Sequence, residues 1–331
     1  MPYGSSVSRS DLLSGLVSLG LRGGDNIVVH SRLSSFGHLT GGANTVIDVL
    51  QEIVTDKGTI VMPTFSGELI FFLECLALDR GINGEGSTGI GTVFEGTGAG
   101  FWEAIDEVSR KNGIRCPFDG PLALGNRIRG ERMRILKVGG WKISWDGEEL
   151  SDSSPVSVSR DSTPLAGEEV RPWMMPAWTG LIPDTFWRRP DVQRSHQYSG
   201  SFAAWGRLAS DILEGHDNRP GQKMEDHPLY RMKEVGGRIL LLGVDHGVNS
   251  TIHVAQWTAH RDGPPGVPAS WREFLSDFHA VEGPLESRGG QRKAFIGPSQ
   301  ARLAETDQLF DVVADLLREK FGEEVKRCTS S

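Results

Sequence analysis

The segment between Ile27 and Ser66 constrains the fold more than any other part of the chain. It contains two short apolar runs, Ile27-Val28-Val29 and Ile60-Val61-Met62, and such β-branched runs are typical of buried strands. Between them, residues 45–54 place apolar side chains at helical spacing. A strand, a helix and a second strand in this order predict a parallel pair, and parallel pairs lie in sheets that helices cover. The segment therefore predicts an α/β fold.

Two polar stretches lie where the first predicted strand ends and the helix begins, namely the loop 31–37 and the pair Gly41-Gly42. Open α/β sheets bind ligands at the carboxyl ends of their strands, and the N-terminus of a helix favours phosphate. These stretches predict a site for a phosphorylated cofactor. A tight turn and a loop with a satisfied backbone are the alternative explanation of the same residues.

Composition narrows the classes of protein that the chain could be. With 331 residues and 38% hydrophobic residues, it can form one large α/β domain or two smaller ones. A net charge of −8 argues against a nucleic-acid partner, and no apolar run approaches the length that spans a membrane. The three cysteines lack CxxC spacing, so we expect no metal and no disulfide framework. The start of the chain has no secretory pattern, so we expect a cytoplasmic protein.

Periodicity and turn residues predict further elements along the chain. These are a helix over 8–21, a hairpin over 132–145 that turns at Gly139-Gly140, a helix over 185–189, a strand within 234–244, a helix over 251–260 and a helix over 305–321.

Three blocks of sequence resemble one known family. The first block reads VHSRLSSFG from Val29, GGANTVI from Gly41 and GTIVMPTF from Gly58. The second reads GLIPDTFWRRPDVQRS from Gly180 and then SFAAWG, and the third reads GGRILLLGVDHGVNSTIH from Gly236. Together they closely resemble the aminoglycoside 3-N-acetyltransferases.

The resemblance implies a fold and a division of the chain. The expected fold is a three-layer α/β/α sandwich around a mostly parallel central sheet, with a large α+β insertion. Residues 1–66 and 173–331 would form the CoA-binding core, and residues 67–172 would form an inserted lid on the acceptor side. Acidic residues outnumber basic ones in this insertion, so it could concentrate a cationic amine, although a solvated face would have the same composition.

The resemblance also implies a cofactor, which is acetyl-CoA or another acyl-CoA, with no metal. Small hydroxyls and backbone groups suit the slender pantetheine arm, and N–H groups at the start of a helix suit its phosphates. The predicted cofactor-binding residues are Ser31, Arg32, Leu33, Ser34, Ser35, Phe36, Gly41, Gly42, Ala43, Thr45, Thr64, Asn249, Ser250 and Thr251.

The expected catalytic base is missing from its usual position. In the family motif R-S-x-H-P-x-x-S the histidine falls on Gln197, and His196 lies one position earlier. Three alternatives stay open: His196 is the base through a local shift of the chain, His253 or His246 serves instead, or the base is absent. Gln197 cannot act as a general base, although it can donate a hydrogen bond to a carbonyl or an oxyanion.

A second departure concerns the helix after the third block. The family glutamate that would orient the base or hold a cationic substrate is replaced by Gln256. Trp178, Asp245 and His246 are the predicted substrate-binding residues. The weakened acidity favours an acceptor that carries less positive charge than an aminoglycoside.

The predicted function is a CoA-dependent N-acyltransferase, most simply an acetyltransferase, in which the amine of a small natural product attacks the thioester directly. The alternative is a catalytically impaired or repurposed CoA-binding member of the family. A third option is acyl transfer to another nucleophile or hydrolysis of an acyl-CoA. The expected partner is a small-molecule amine, with no nucleic acid and no membrane, and a homodimer is left open.

Overall fold

The computed structural model describes residues 6–65, 68–81, 92–111, 135–138, 141–146, 151–160, 177, 179–197, 200–217, 223–261, 275 and 277–329. The chain divides into two compact units. The first comprises Met1–Pro63, Thr185–Arg194 and Phe202–Ser331, and the second comprises Thr64–Asp184 and Ser195–Ser201. Within the described ranges, no helix is both long enough and apolar enough to cross a membrane.

The strands are numbered in chain order over the described residues. They are β1 (Asn26–Ser31), β2 (Thr59–Pro63), β3 (Thr92–Thr97), β4 (Ile135–Val138), β5 (Trp141–Trp145), β6 (Pro155–Arg160), β7 (Gln193–Arg194), β8 (Phe202–Gly206), β9 (Arg238–Leu242), β10 (Gln291–Ile296) and β11 (Ser299–Glu305).

The α-helices are numbered in the same way. They are α1 (Arg9–Leu19), α2 (Gly42–Val54), α3 (Glu68–Asp79), α4 (Gly98–Lys111), α5 (Leu181–Trp187), α6 (Ala209–Leu213), α7 (Pro228–Glu234), α8 (Thr251–Arg261), α9 (Glu282–Ser287) and α10 (Thr306–Thr329). Short 3-10 helices occur at Leu33–Phe36, Met224–Asp226, His246–Val248 and Phe278–Val281.

The first unit contains a seven-stranded mixed sheet in the order β10-β11-β9-β1-β2-β8-β7. The predicted parallel pair is confirmed, because β1 pairs with β2 in parallel, and β9 extends it on the other side of β1. The other four pairings are antiparallel, so the expectation of a mostly parallel sheet is wrong. A short turn joins β10 to β11, and such a connection can only produce an antiparallel pair.

The central strands are buried because their sequences are continuously apolar. Every residue of β2 and β9 is buried, as are Ile27, Val28 and Val29 of β1. Helix α2 packs its apolar stripe into this core and exposes its polar face. Ser8 caps the N-terminus of helix α1, where its side chain and that of Asp11 form a capping box, and Gly20 caps the C-terminus in the left-handed conformation. The predicted helices in these two places are therefore confirmed.

The second unit contains a four-stranded antiparallel sheet in the order β3-β6-β5-β4. The predicted hairpin is confirmed by the pairing of β4 with β5, and its predicted turn at residues 139–140 lies outside the described residues. Aromatic residues dominate the core: the rings of Phe94 and Phe101 are 5.5 Å apart and those of Phe101 and Trp102 are 4.7 Å apart. Apolar packing therefore stabilises this unit.

Candidate functional site

Two polar segments of the first unit emerge side by side from the sheet. Strands β1 and β9 are parallel neighbours, and Ser31 at the end of β1 is in register with Leu242 at the end of β9. The backbone N–H of Arg32 donates to the carbonyl of Leu242 at 3.0 Å, so the two chains separate only after these residues. The loop that follows β1 and the turn that follows β9 therefore lie at one edge of the sheet, where open α/β sheets bind ligands.

The loop after β1 is held by its own side chains. Phe36 is completely buried and anchors the loop in the core. The hydroxyl of Ser35 donates to the carbonyl of Arg32 at 2.7 Å and lies 2.8 Å from the hydroxyl of Ser299 in β11. Arg32 and Ser34 are exposed, and Leu33 is half-buried. A ligand along this loop would therefore meet Arg32, Leu33 and Ser34, whereas the ring of Phe36 is unavailable to it.

The start of α2 is a tight turn. Gly41 has φ 79°, and a Cβ at this position would collide with the hydroxyl of Thr45. That hydroxyl donates to the carbonyl of Thr40 at 2.8 Å. Gly42 is half-buried and Ala43 is buried. The glycine is required by this turn whether or not a phosphate binds there, and the cofactor role of these residues stays a prediction.

The turn after β9 contains a buried hydrogen-bonded chain of side chains. His246 is completely buried; its Nε2 lies 2.6 Å from Gln291 Oε1 and its Nδ1 lies 3.2 Å from Asn249 Nδ2. Because the amide nitrogen of Asn249 can only donate, Nδ1 accepts and the ring donates through Nε2. The Oδ1 of Asn249 then accepts from the backbone N–H of Thr251 at 3.1 Å, where α8 begins. The predicted substrate-binding residue His246 thus holds the turn and has no surface for a substrate.

Asp245 and His246 are adjacent but their side chains do not meet. The carboxylate of Asp245 accepts from the N–H of Gly247 at 3.0 Å and lies 3.1 Å from Nε2 of His279. The hydrogen bond with Asp277, followed by the charge of Asp245, raises the pKa of His279. Neighbouring residues in an extended chain point in opposite directions, which explains the separation. Sequence reasoning missed His279, since nothing in the sequence indicates that residue 279 returns to this turn.

Some buried polar atoms near this edge, besides Nε2 of Gln291, have no hydrogen-bond partner among the described residues. They include Nε2 of His30, Oγ of Ser31 and Oγ1 of Thr251. Burial, followed by the neighbouring His246, lowers the pKa of His30 to about 3, so its ring is neutral. Buried polar groups are nearly always satisfied, so these unpaired atoms are exceptions in this part of the molecule.

A polar cleft of about 270 Å³ opens beside the same loop. Its lining includes Arg32 and Arg302, although Arg302 was not predicted from the sequence. The complete lining is Arg32, Ser35, Gly243, Val244, Asp245, Val248, Pro298, Ser299, Gln300 and Arg302.

Two catalytic candidates lie on α8 in the first unit. His253 is exposed, with its ring 4.9 Å from that of Phe278 and 6.2 Å from that of Trp257, and partial burial lowers its pKa. Gln256 is completely buried, and its Oε1 accepts a hydrogen bond from the N–H of Leu275. The side chain of Gln256 therefore fixes a backbone segment.

Ser250 is half-buried just before α8 in the first unit, whereas Thr64, His196 and Gln197 belong to the second unit. Thr64 is buried, and its N–H donates to the carbonyl of Ser201 at 2.8 Å, while the Ser201 hydroxyl donates to the carbonyl of Thr64 at 2.8 Å. In the same loop His196 is exposed, and Oε1 of Gln197 accepts from the N–H of Gly200. Trp178 lies outside the described residues.

Comparison with known proteins identifies the family. A family model described as aminoglycoside 3-N-acetyltransferase matches residues 28–70 and 169–318. Aminoglycoside N(3)-acetyltransferase IV from Salmonella sp is 35% identical over 225 residues, which cover 62% of this chain and 75% of that protein. The SPbeta prophage-derived aminoglycoside N(3')-acetyltransferase-like protein YokD of Bacillus subtilis (strain 168) is 26% identical over 318 residues, covering 92% of this chain and 90% of the relative.

Solved structures share the fold. The aminoglycoside acetyltransferase AAC(3)-IVa apoenzyme has a TM-score of 0.56 at 21% identity, covering 96% of this chain and 90% of its own. AAC-IIIb in a binary complex with CoASH has a TM-score of 0.56 at 18% identity, and the alignment covers 96% of this chain and 98% of that chain. The mixed α/β fold with polar loops at adjacent strand ends defines a ligand-binding α/β protein. The chain belongs to the aminoglycoside 3-N-acetyltransferase family, and it is an acyl-CoA-dependent N-acyltransferase.

Proposed function

We propose that this N-acyltransferase moves an acetyl group from acetyl-CoA to an amino group of a small cationic molecule of the aminoglycoside type. The observation that carries the proposal is the family match, because the matched ranges 28–70 and 169–318 contain the ends of the neighbouring strands β1 and β9. Among the structural neighbours, a mutant of AAC(3)-IVa has been solved in complex with a gentamicin and with apramycin. These two compounds are therefore the first acceptors to test.

The donor would lie along the loop after β1 and the turn before α8. The exposed residues Arg32 and Ser34 would contact the donor, and Asn249 would keep the start of α8 in position. Acetyl-CoA supplies an activated thioester when it is bound. Fixing that thioester beside the amine replaces a bimolecular encounter by an oriented one, which lowers the entropic part of the barrier.

We assign the base to one of two exposed histidines, His196 or His253. The amine attacks as its free base, and after attack the nitrogen must lose a proton to a neighbouring group near neutral pH. His246 is a poor candidate because both of its ring nitrogens are bonded inside the turn. The side-chain amide of Gln197 or Gln256 would contribute only hydrogen bonds.

The alternative function, a CoA-binding member with impaired catalysis, has one observation in its favour. Gln197 and Gln256 each use their side-chain oxygen to bind a backbone N–H, at Gly200 and Leu275 respectively. An uncharged amide with this task stabilises a loop without taking up a proton. This alternative requires that CoA binds while no acceptor is acylated.

The deciding experiment is a free-thiol release assay with acetyl-CoA and a panel of amines that includes gentamicin and apramycin. A calorimetric titration of CoA on the same sample accompanies it. We expect acceptor-dependent thiol release. Binding of CoA without release from any amine would reject transferase activity in favour of the impaired member.

His196→Ala and His253→Ala, measured separately, identify the base. The variant that removes the base should lose about 10²–10⁴-fold in kcat, a range typical of general bases, with an unchanged Kd for CoA. The other variant is the matched control. If neither changes kcat, the base assignment is wrong, and Gln197→His then tests whether a histidine at this position raises the rate.

We also propose the finer features of the architecture and setting. Helices would cover both faces of the seven-stranded sheet as a three-layer α/β/α sandwich, and residues 67–172 would act on the acceptor side. The enzyme would work in the cytoplasm, where acetyl-CoA is available, and a homodimer is left open.

A further inference from the structure

We propose that the exposed ring of Trp257 binds a protonated amino group of the acceptor through a cation–π contact. This ring would replace a carboxylate as the group that recognises the charge of the acceptor, because the family glutamate of α8 is Gln256 here. The inference rests on the proposed function and deepens it, because it names the residue that selects the acceptor. We refer to Trp257, His253 and Phe278 as the aromatic strip, and all three belong to the first unit.

The outer face of α8 carries two rings that the core does not cover. Trp257 is 41% exposed, and His253, one turn earlier on the helix, is exposed as well. Gln256 points inward, since it is completely buried and its side-chain oxygen accepts from the N–H of Leu275. Position 257, rather than position 256, therefore faces a ligand that approaches α8 from solvent. Adjacent exposed aromatic side chains are typical of ligand-binding surfaces.

The rings of the aromatic strip are held in place by one another and by the core. The ring centres of His253 and Trp257 are 6.2 Å apart and their planes differ by 29°, so the two rings are nearly parallel. Phe278 contacts His253 at 4.9 Å in a perpendicular arrangement. On the other side, His227 contacts Trp257 at 6.1 Å and the completely buried Phe202 at 5.5 Å. An aromatic surface anchored in this way loses little conformational entropy when it binds a ligand.

The histidines of this surface are neutral near pH 7, so they do not repel a cation. Burial lowers the pKa of His253, and burial, followed by the neighbouring His216, lowers the pKa of His227 to about 3. Arg261, one turn after Trp257 on α8, is paired with Glu225 at 2.7 Å. The aromatic strip therefore offers uncharged ring faces, and the cation in the next turn of the helix is already compensated.

The charged groups at the Phe278 end also suit a positively charged ligand. Asp277 directly precedes Phe278, and it shares the ring of His279 with Asp245, at 2.8 Å and 3.1 Å respectively. One imidazole therefore faces two carboxylates, and these three groups together are negative whether His279 is charged or neutral. The other charged groups around the adjoining cleft are Glu282 and Glu286, which share Lys293, Arg302, which is paired with Glu282, and Arg32. The whole set carries no net positive charge.

An ammonium group is the ligand that these observations favour. Tryptophan gives the strongest cation–π contact of the aromatic residues, and a cation within about 6 Å of its ring centre is attracted to the ring face. The amino group held at Trp257 is not the one that attacks the thioester, because the attacking nitrogen has to be a free base. The proposal therefore requires an acceptor with at least two amino groups, one of which stays protonated.

Calorimetric titration of apramycin into the wild type, Trp257→Phe and Trp257→Leu tests the proposal without turnover. Leucine keeps an apolar side chain but has no π-system, so we expect Trp257→Leu to raise the Kd about 10-fold and Trp257→Phe to raise it less. Phe295→Leu is the matched control, because Phe295 is an aromatic residue of the same unit that is 69% exposed, and its Kd should equal that of the wild type.

Steady-state kinetics show whether the ring serves the acceptor or the donor. A contact made equally in the ground state and the transition state changes KM and leaves kcat alone. We therefore expect Trp257→Leu to raise the KM for apramycin about 10-fold, with unchanged kcat and an unchanged KM for acetyl-CoA. A rise in the KM for acetyl-CoA in place of the KM for apramycin would assign the ring to the donor and overturn the proposal.

The two methods together separate failure of this proposal from failure of the proposed function. Binding of apramycin that depends on Trp257, with no thiol release, supports the aromatic strip and rejects the transferase activity. Thiol release with the same Kd for apramycin in Trp257→Leu and the wild type supports the transferase and rejects the strip. A wild type that binds neither apramycin nor gentamicin would overturn the proposal as well.

Discussion

The two units of the chain bury their polar and titratable groups in different ways. Of the nine histidines, all but His196 belong to the first unit, where His30, His216 and His246 are buried. The second unit has an aromatic core, and its partly buried charges converge on Glu74, which accepts from Trp141 at 3.0 Å and from Arg160 at 2.6 Å.

The difference separates a functional arrangement from a structural one. Burying a neutral histidine or an unpaired hydroxyl costs free energy, and such costs concentrate where a chain binds ligands. Among the described residues, the first unit accepts such costs in His30 and Ser31 near the end of β1 and in Thr251 at the start of α8. The second unit accepts them inside its aromatic core, at the ring nitrogens of Trp102 and Trp145. In the second unit, the Glu74 carboxylate of α3 binds two strand residues, Trp141 of β5 and Arg160 of β6.

The largest expected effect is in the aromatic core of the second unit. Phe101→Ala should lower the free energy of unfolding by about 3–5 kcal/mol, because the ring is completely buried between Phe94 and Trp102. Urea unfolding followed by tryptophan fluorescence measures the loss. The same substitution at Phe295, which is 69% exposed, is the control and should cost no more than about 0.5 kcal/mol. Equal losses would contradict the assignment of stability to aromatic packing.

Acid should destabilise the first unit. Burial holds the pKa of His30 at about 3 and that of His216 at about 4, below the ordinary value of 6.5. Below pH 6.5 these two histidines bind protons in the unfolded chain but not in the folded chain. Their contribution to the free energy of unfolding is therefore complete above pH 6.5 and is lost as the pH falls toward the folded pKa. By about pH 4.5 each histidine should cost about 2–3 kcal/mol.

Urea titrations at about pH 7.5, 5.5 and 4.5 measure this loss. His30→Gln removes one titrating ring and should reduce the slope below about pH 6.5 by about 1.4 kcal/mol per pH unit. A stability that is flat over this range would show that the histidines do not distinguish the two units.

The smallest effect concerns the partly buried charge of Glu74 in the second unit. Glu74→Gln keeps an acceptor for Trp141 but removes the charge opposite Arg160, and it should cost about 1 kcal/mol. Asp106→Asn, which breaks the exposed pair with Arg110, is the control and should change little. Equal effects in thermal or urea unfolding would mean that Glu74 is an ordinary surface charge.

The sequence predicted those elements whose signal is local. Strands β1 and β2 and helix α2 are continuously or periodically apolar, so their burial could be inferred from spacing alone. Strands β10 and β11 were not predicted, because Arg292 and Lys293 lie on an exposed edge and the apolar alternation is weak. The Gly297-Pro298 pair was the one turn signal available.

The candidate site was only partly predictable, for a similar reason. The loop after β1 and the turn before α8 could be found from small and polar residues at the ends of apolar runs. Arg302 and Gln291 reach the same place from the β10–β11 hairpin, far along the chain, through antiparallel pairing that the sequence does not specify. The burial of His246 depends on Gln291, and so its role as a holder of the turn could not be foreseen.

The two edge strands of the seven-stranded sheet limit how this protein can associate. One edge strand is β10, where Lys293 is bound to Glu282 and Glu286 beside the strand, and the other is β7, which is only two residues long. Charged or very short edge strands are poor templates for β-pairing with the backbone of another molecule. Growth of the sheet into a fibre or an intermolecular β-ribbon is therefore disfavoured, and a homodimer of this chain would have to be built from side-chain surfaces.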